Sequence, residues 1–283
     1  MAMATVLLGG LGAAPSGAAT LYGGGSVPSS TTEPIPLFLV AVDNGRASIV
    51  GFSGGSCTNG RSGYGRFATH RFRLRRKGRF AIKGSFKFTI PGAVATGSFR
   101  IRGRVRASSG LATGVASVRL RFPSSTGKTI RCRGLKRAFR ARNPAAGKIR
   151  LRGPFYGVTS QGLPVVVRPA PDSSALAPVA LMTTLGCGAL GPVQSIPHLR
   201  VAATSPGVYA KTGTVTGSFI PALGSPTGSI PLGTYTYTSY DFKAQIASGR
   251  ATGSIGLSSK VGNAQKILID TCASPPITFT AVP

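Results

Sequence analysis

The sequence predicts an all-β protein built from two tandem antiparallel domains, and three features support this expectation. Apolar and basic residues alternate through residues 99–106 and similar segments, a period typical of strands that are buried on one face. Glycine and proline supply 40 and 21 of the 283 residues and separate these segments. No apolar pattern of helical period extends beyond two turns. We expect a pair of β-sandwiches, with a closed barrel as the alternative.

The alternation recurs in short segments that each predict one strand. In the first half of the chain these segments are residues 72–74, 99–106, 118–122 and 130–133. The more neutral strands of the second half are predicted at residues 164–168, 179–185, 233–238 and 265–271. Sequence parity directs Cys132 and Cys187 toward the apolar face. Cys272 shares its parity with Asp270, so a bulge or a strand end is needed nearby.

The two halves of the chain carry the same landmarks in the same order, which indicates a tandem duplication. The clearest is Ser-Gly-x-Ala-Thr-Gly, at residues 109–114 and again at 248–253. The other paired landmarks are Tyr22-Gly23 with Tyr156-Gly157, Cys57 with Cys187, Gly78 with Gly207, Cys132 with Cys272, and Phe139 with Phe279. The repeat is too long for a solenoid and predicts two homologous domains.

The duplication also sets the expected domain boundaries. We predict a strongly basic β domain at residues 20–142, a linker at 143–147 and a near-neutral β domain at 148–283. Residues 1–19 contain no charge and pass from an apolar stretch to small residues. This pattern is typical of a signal peptide that lacks its basic start, so we expect a partial signal peptide. No transmembrane segment is expected after this leader.

Each copy has one early and one late cysteine, which predicts the disulfide pairing. We expect Cys57 to pair with Cys132, and Cys187 with Cys272. No cysteine lies in a Cys-x-x-Cys motif or near a histidine, so no metal site is expected. Disulfides in both domains predict an oxidising compartment, and the protein is therefore expected to be secreted or held at the cell surface.

The charge of the chain is concentrated in one copy. Basic residues outnumber acidic residues 34 to 5, which gives a formal net charge of +29. Residues 20–152 carry +25 of this charge and residues 153–283 carry +4. Since two copies of one fold should share their core pattern, the difference indicates a specialised surface on the first domain.

Arginines that alternate with core residues predict a polyanion-binding face. Arginine suits phosphate and other oxyanions because its planar guanidinium offers several donors. The candidate residues are Arg71, Arg73, Arg75, Arg100, Arg102, Arg104, Arg106, Arg119 and Arg121. The alternative interpretation is a solvated basic surface without a partner. An anionic envelope polymer or glycan is the expected ligand of a non-enzymatic exported protein, and nucleic acid is the alternative ligand.

Catalytic chemistry has little support in the sequence. Residues 51–55 fit Gly-x-Ser-x-Gly around Ser53, but a nucleophile elbow requires a helix after the serine, and none is predicted there. His70, His198 and Asp43 could nominally complete a triad, so an envelope hydrolase that uses Ser53 is kept as a further alternative. No paired carboxylates suit glycoside hydrolysis, and no cofactor is expected.

The opening of the second unit carries a resemblance. Residues 154–161 read Pro-Phe-Tyr-Gly-Val-Thr-Ser-Gln, and the Cys, Ser-Gly-x-Ala-Thr-Gly and Cys landmarks follow. This arrangement resembles a group of uncharacterised secreted proteins of high-GC actinobacteria. The resemblance implies β-sandwich modules and export, and it implies no activity. The first unit departs from the pattern at Gly23-Gly24-Gly25-Ser26.

Overall fold

A computed structural model describes most of the chain. The described residues are 19–26, 36–60, 62–90, 93–123, 129–134, 136–145, 153–188, 192–217, 220–221, 235–262 and 267–283. Helical segments within these ranges are limited to two 3₁₀ turns, Arg76–Gly78 and Ala107–Ser109. The all-β prediction is therefore confirmed. The predicted leader, apart from residue 19, and linker residues 146–147 lie outside the described residues.

The first unit is a closed antiparallel barrel. Its strands are β1 (Thr20–Gly25), β2 (Leu37–Asp43), β3 (Arg46–Cys57), β4 (Ser62–Ala68), β5 (Phe72–Arg73), β6 (Arg79–Ile90), β7 (Ala93–Arg106), β8 (Leu111–Pro123), β9 (Thr129–Arg133) and β10 (Arg137–Arg142). Pairing runs from β1 through β2 and β3 to β5, and a bridge from Arg75 to Arg79 continues it to β6. It then passes through β7 and β8 to β10, which pairs with β1.

The second unit repeats this circuit. Its strands are β11 (Phe155–Thr159), β12 (Pro164–Pro169), β13 (Ala175–Leu181), β14 (Thr183–Cys187), β15 (Val193–Ser195), β16 (His198–Ser205), β17 (Val208–Gly217), β18 (Ile220–Pro221), β19 (Tyr235–Ala247), β20 (Arg250–Gly262) and β21 (Leu268–Val282). Pairing runs through β11, β12, β13, β16, β17, β19, β20 and β21, and β21 returns to β11. Each unit thus has the continuous pairing of a barrel, which was the alternative to a sandwich.

The strand registers of the two barrels match, and they show that one of the paired landmarks predicted from the sequence was matched wrongly. Each predicted disulfide is confirmed and joins residues that lie directly opposite each other, Cys57 with Cys132 and Cys187 with Cys272. In the first strand of each barrel, however, Gly24 pairs with Ala141 and Gly157 pairs with Ala281. Gly24, and not Gly23, is therefore the structural equivalent of Gly157.

The repeated Ser-Gly-x-Ala-Thr-Gly motif is explained by the turn between two long strands. Its first glycine has a positive φ in both copies, 56° at Gly110 and 67° at Gly249, and glycine adopts this conformation without steric cost. Its last glycine lies under an aromatic ring. A Cβ added at Gly253 would lie 2.6 Å from Cζ of Phe279. The motif therefore builds the barrel and does not form a ligand site.

The unresolved parity of Cys272 is explained by irregular pairing in β21. The register between β20 and β21 shifts on either side of the cysteine, once near Leu268 and Asp270 and once between Ser274 and Ile277. Cys272 is buried, although Leu268 on the same strand is exposed. In the first barrel the corresponding change of face occurs at the interruption between β9 and β10.

Each barrel encloses its own aromatic core, and a third apolar cluster joins the two barrels. Leu37 and Phe52 of the first barrel pack in this cluster with Tyr156, Val166 and Met182 of the second. Phe52 and Met182 occupy equivalent positions in the two barrels. Gly24 pairs with Phe38, which pairs with Gly51, the residue before Phe52. In the same way, Gly157 pairs with Val165, which pairs with Leu181, the residue before Met182. The two barrels therefore pack through related faces.

The approach between the barrels is close. A side chain at Gly23 would collide with the carbonyl oxygen of Gly157. On another pair of related strands, Arg66 of β4 donates a hydrogen bond to Oε1 of Gln194 of β15. Burial lowers the pKa of Arg66 to about 10. The second domain is thus held to the first by apolar packing and by a partly buried polar contact.

Candidate polyanion-binding face

The outward side chains of β6, β7, β8, β9 and β10 form one continuous basic surface on the first barrel. Cross-strand pairing places Arg79 beside Arg104, Lys83 beside Arg100, and Ala81 beside Arg102, and it places Arg119 beside Arg133. We call this surface the basic face. Its members are Arg79, Lys83, Arg100, Arg102, Arg104, Arg106, Arg119, Arg121, Arg131, Arg133 and Arg140.

Strand alternation turns these side chains outward. On β7 the apolar residues that alternate with the arginines, Phe99, Ile101 and Val105, are buried in the core, so the arginines point to solvent. Arg104 is the partial exception, since it is half-buried and its Nε donates a 2.8 Å hydrogen bond to the carbonyl of Lys77. The other members of the basic face are exposed.

Like charges face each other directly across this sheet. The opposed pairs are Arg79 with Arg104, Lys83 with Arg100, Arg119 with Arg133, and Arg121 with Arg131. Residues 61–152 contain no acidic side chain, so none from this part of the chain neutralises the surface. Directly opposed like charges destabilise a sheet. The basic face therefore lowers the stability of the free protein, and a bound anion would relieve this cost.

The structure brings most of the predicted residues together. Arg100, Arg102, Arg104, Arg106, Arg119 and Arg121 all belong to the basic face. Arg75 adjoins it, because its bridge partner is Arg79. Arg71 and Arg73 lie further around the barrel beside β3, where Arg71 forms a 2.7 Å ion pair with Asp43 and Arg73 pairs with Arg46.

Five members of the basic face were absent from the sequence prediction. They are Arg79, Lys83, Arg131, Arg133 and Arg140. Arg131 and Arg133 flank buried Cys132, so their alternation with the cysteine carried a usable signal. Lys83 alternates with Phe80 and Ile82 in the same way, but its place opposite Arg100 depends on the register between β6 and β7.

The second barrel shows that this scaffold does not require a basic surface. At the positions equivalent to the basic face it has Val208, Thr212, Asp241, Lys243, Gln245, Ala247, Ser258, Lys260, Thr271, Ala273 and Thr280. Two of these are lysines and one is an aspartate. Asp241, which replaces Arg100, forms a 3.3 Å ion pair with Lys243.

A depression lies in the middle of the basic face. Its volume is about 410 Å³. Lys83, Arg100 and Arg119 surround it, and the small side chains of Ser85, Ser98 and Ser117 also line it. Short residues at the centre of a field of long basic residues leave this space open.

The geometry around Ser53 does not match a nucleophile elbow. Ser53 lies within β3, pairs with Gly65 of β4 and is buried, whereas a nucleophile elbow presents its serine on a strand-to-helix turn. His70 is exposed, and Asp43 is paired with Arg71. In the described part of the chain, no three His, Cys, Asp or Glu side chains cluster as metal ligands.

Comparisons with known proteins do not assign the chain to a family. Comparison of the chain with protein-family models, with curated proteins and with solved structures found no match. The resemblance to secreted actinobacterial proteins therefore stays a prediction. Among the described residues, no helix is long and apolar enough to cross a membrane. The two disulfides are compatible with an extracellular location.

Proposed function

We propose that the protein is a secreted or cell-envelope protein that binds acidic polymers, without catalysis, through the basic face of its first barrel. One observation supports this most strongly: the basic residues form a single surface on one barrel, while the same positions of the second barrel are nearly neutral. A composition bias acting on the whole chain would affect both barrels alike.

The dimensions of the basic face suit an extended polymer. Alternate residues along a strand lie roughly 7 Å apart, and neighbouring strands lie about 4.8 Å apart. Arg100, Arg102, Arg104 and Arg106 therefore form a charged row along β7 that can contact successive anionic groups. Binding would exchange repulsion between opposed arginines for attraction to the polymer and would release the counterions of the polymer.

An anionic envelope polymer fits this surface better than single-stranded nucleic acid. Proteins that bind single strands stack the bases on exposed aromatic rings. In the first barrel Phe80 and Phe99 are buried, and Phe72 and Phe122 pack against the core. The basic face thus offers charge without a stacking platform, which suits recognition of an acidic backbone.

The experiment compares two variants of the full chain that each lose four charges. One carries Arg→Gln at positions 100, 102, 104 and 106, and the matched control carries Gln at Arg200, Lys211, Lys243 and Lys260 of the second barrel. Binding to an anionic wall polymer and to duplex DNA is measured over a salt series. We expect the first variant to bind more weakly and to have a shallower salt dependence, because fewer phosphates are neutralised.

The control should bind as the unchanged protein does. Equal losses in the two variants would contradict the proposal, and so would binding that does not respond to salt. A clear preference for duplex DNA over the wall polymer would identify nucleic acid as the ligand.

A further inference from the structure

We propose that the depression in the basic face is a subsite for one phosphate group of the bound polymer; this inference rests on the proposed function. The depression brings three cationic side chains and three hydroxyls together from strands β6, β7 and β8. Its volume of about 410 Å³ is more than ten times the roughly 30 Å³ share of a water molecule. It can therefore admit a phosphate group with part of the chain that carries it.

The donors around this depression are available to a ligand. Within the part of the chain that the structure describes, Lys83, Arg100 and Arg119 form no ion pair, and the side-chain hydroxyls of Ser85, Ser98 and Ser117 make no hydrogen bond to another protein group. The basic groups supply charge-assisted hydrogen bonds, which are shorter and stronger than neutral ones. The serine hydroxyls can rotate to donate to an oxyanion.

The mixture of donors favours phosphate over carboxylate. A carboxylate has two oxygens in one plane, and one arginine can satisfy both by a bidentate contact. A tetrahedral phosphate directs its oxygens out of one plane, so it can bond at once to guanidinium groups at the rim and to hydroxyls between them. Three hydroxyls on neighbouring strands add little to carboxylate binding and complete the donor set for a phosphate.

The second barrel lacks this donor set at the equivalent positions. Asp241 replaces Arg100, Ser258 replaces Arg119, and Gly256 replaces Ser117. A carboxylate at the site of the central arginine would repel an anion. The subsite is therefore specific to the first barrel, as the basic face is.

The test removes hydroxyls without changing charge. In the full chain, Ser98→Ala and Ser117→Ala are combined, and the matched control is Thr96→Ala, an exposed hydroxyl on β7 outside the depression. Affinity is measured for inorganic polyphosphate and for polyglutamate at one ionic strength. We expect the double variant to bind polyphosphate at least tenfold more weakly, because losing even one hydrogen bond to a charged group weakens binding by about that factor. Its affinity for polyglutamate, and both affinities of the control, should be unchanged.

A second measurement uses the unchanged protein and so does not depend on the folding of a variant. Inorganic phosphate is titrated against chloride at constant ionic strength while backbone amide resonances are followed. The inference requires the resonances of Ser98 and Ser117 to shift more than that of Thr96.

The outcomes separate the two proposals. The subsite would be overturned if the double variant kept its full affinity for polyphosphate, or if the amide shifts were equal at all three positions. The proposed function would still stand in that case, provided that binding remains sensitive to salt. Failure of the unchanged protein to bind either polymer would remove both.

Discussion

Replacing Arg100 by aspartate should stabilise the free protein, although it removes a residue assigned to binding. Arg100 lies directly opposite Lys83, and both side chains are exposed. Opposed like charges cost about 0.2–1 kcal/mol, and an opposite pair gains a similar amount. Because exposed pairs are weakened by solvent, we expect Arg100→Asp to raise the free energy of unfolding by about 0.5–1 kcal/mol at low salt. The second barrel already has aspartate at this position, Asp241.

Urea unfolding followed by circular dichroism measures this change without adding ions. The urea midpoint should rise at low salt, and the gain should largely vanish near 1 M salt, where the screening length is about 3 Å. Arg100→Gln is the control that removes the repulsion without creating an attraction, so its gain should be smaller. A midpoint that falls at low salt, or a gain that is the same at both salt concentrations, would refute the assignment of repulsion across β6 and β7.

Further predictions concern the packing of the barrels. Phe52→Ala should destabilise the protein by about 3–5 kcal/mol and raise its susceptibility to proteolysis, because Phe52 packs between the barrels; proteolysis unchanged from the native protein would count against a shared core. Arg66→Met should cost about 1–3 kcal/mol by leaving Gln194 without its donor, while adding Gln194→Leu should recover most of the loss; a double-mutant cycle measures this coupling. Gly253→Ala should cost about 1–3 kcal/mol because the added Cβ would collide with the carbonyl oxygen of Lys243 and with the ring of Phe279, and an unchanged melting temperature would contradict this placement.

Local alternation was sufficient to predict the strands and much of the basic face, whereas the disulfide pairing followed from the duplication. Arg100 to Arg106 could be assigned to one surface because the side chains of a strand point alternately to opposite faces. The inward position of Cys132 followed from the same parity. These features depend only on residues that are close in sequence, so the sequence is enough to predict them.

Features that depend on long-range register could not be predicted in the same way. The pairing of Lys83 with Arg100, and of Arg119 with Arg133, requires knowledge of which strands are neighbours. Arg71 was predicted to belong to the basic face, but it lies beside β3 and pairs with Asp43, 28 residues away.

The sequence also contains a pattern that indicates the packing between the barrels, although our prediction did not include it. Val165, Val166 and Val167 are consecutive and fully buried. A continuous apolar run is typical of a strand covered on both faces, whereas a strand on the surface of a lone barrel should alternate. The opening of β12 therefore indicated that a second layer covers this part of the barrel.

The related faces through which the barrels pack make the chain equivalent to a dimer whose subunits have been joined covalently. When two identical subunits associate, each uses the same patch. If one subunit is strongly charged, its partner therefore carries the same charge. Coulomb repulsion scales with the product of the charges. A partner of +4 in place of a second unit of +25 reduces that product about sixfold. Fusion thus allows one subunit to concentrate positive charge while its near-neutral counterpart covers the same apolar patch.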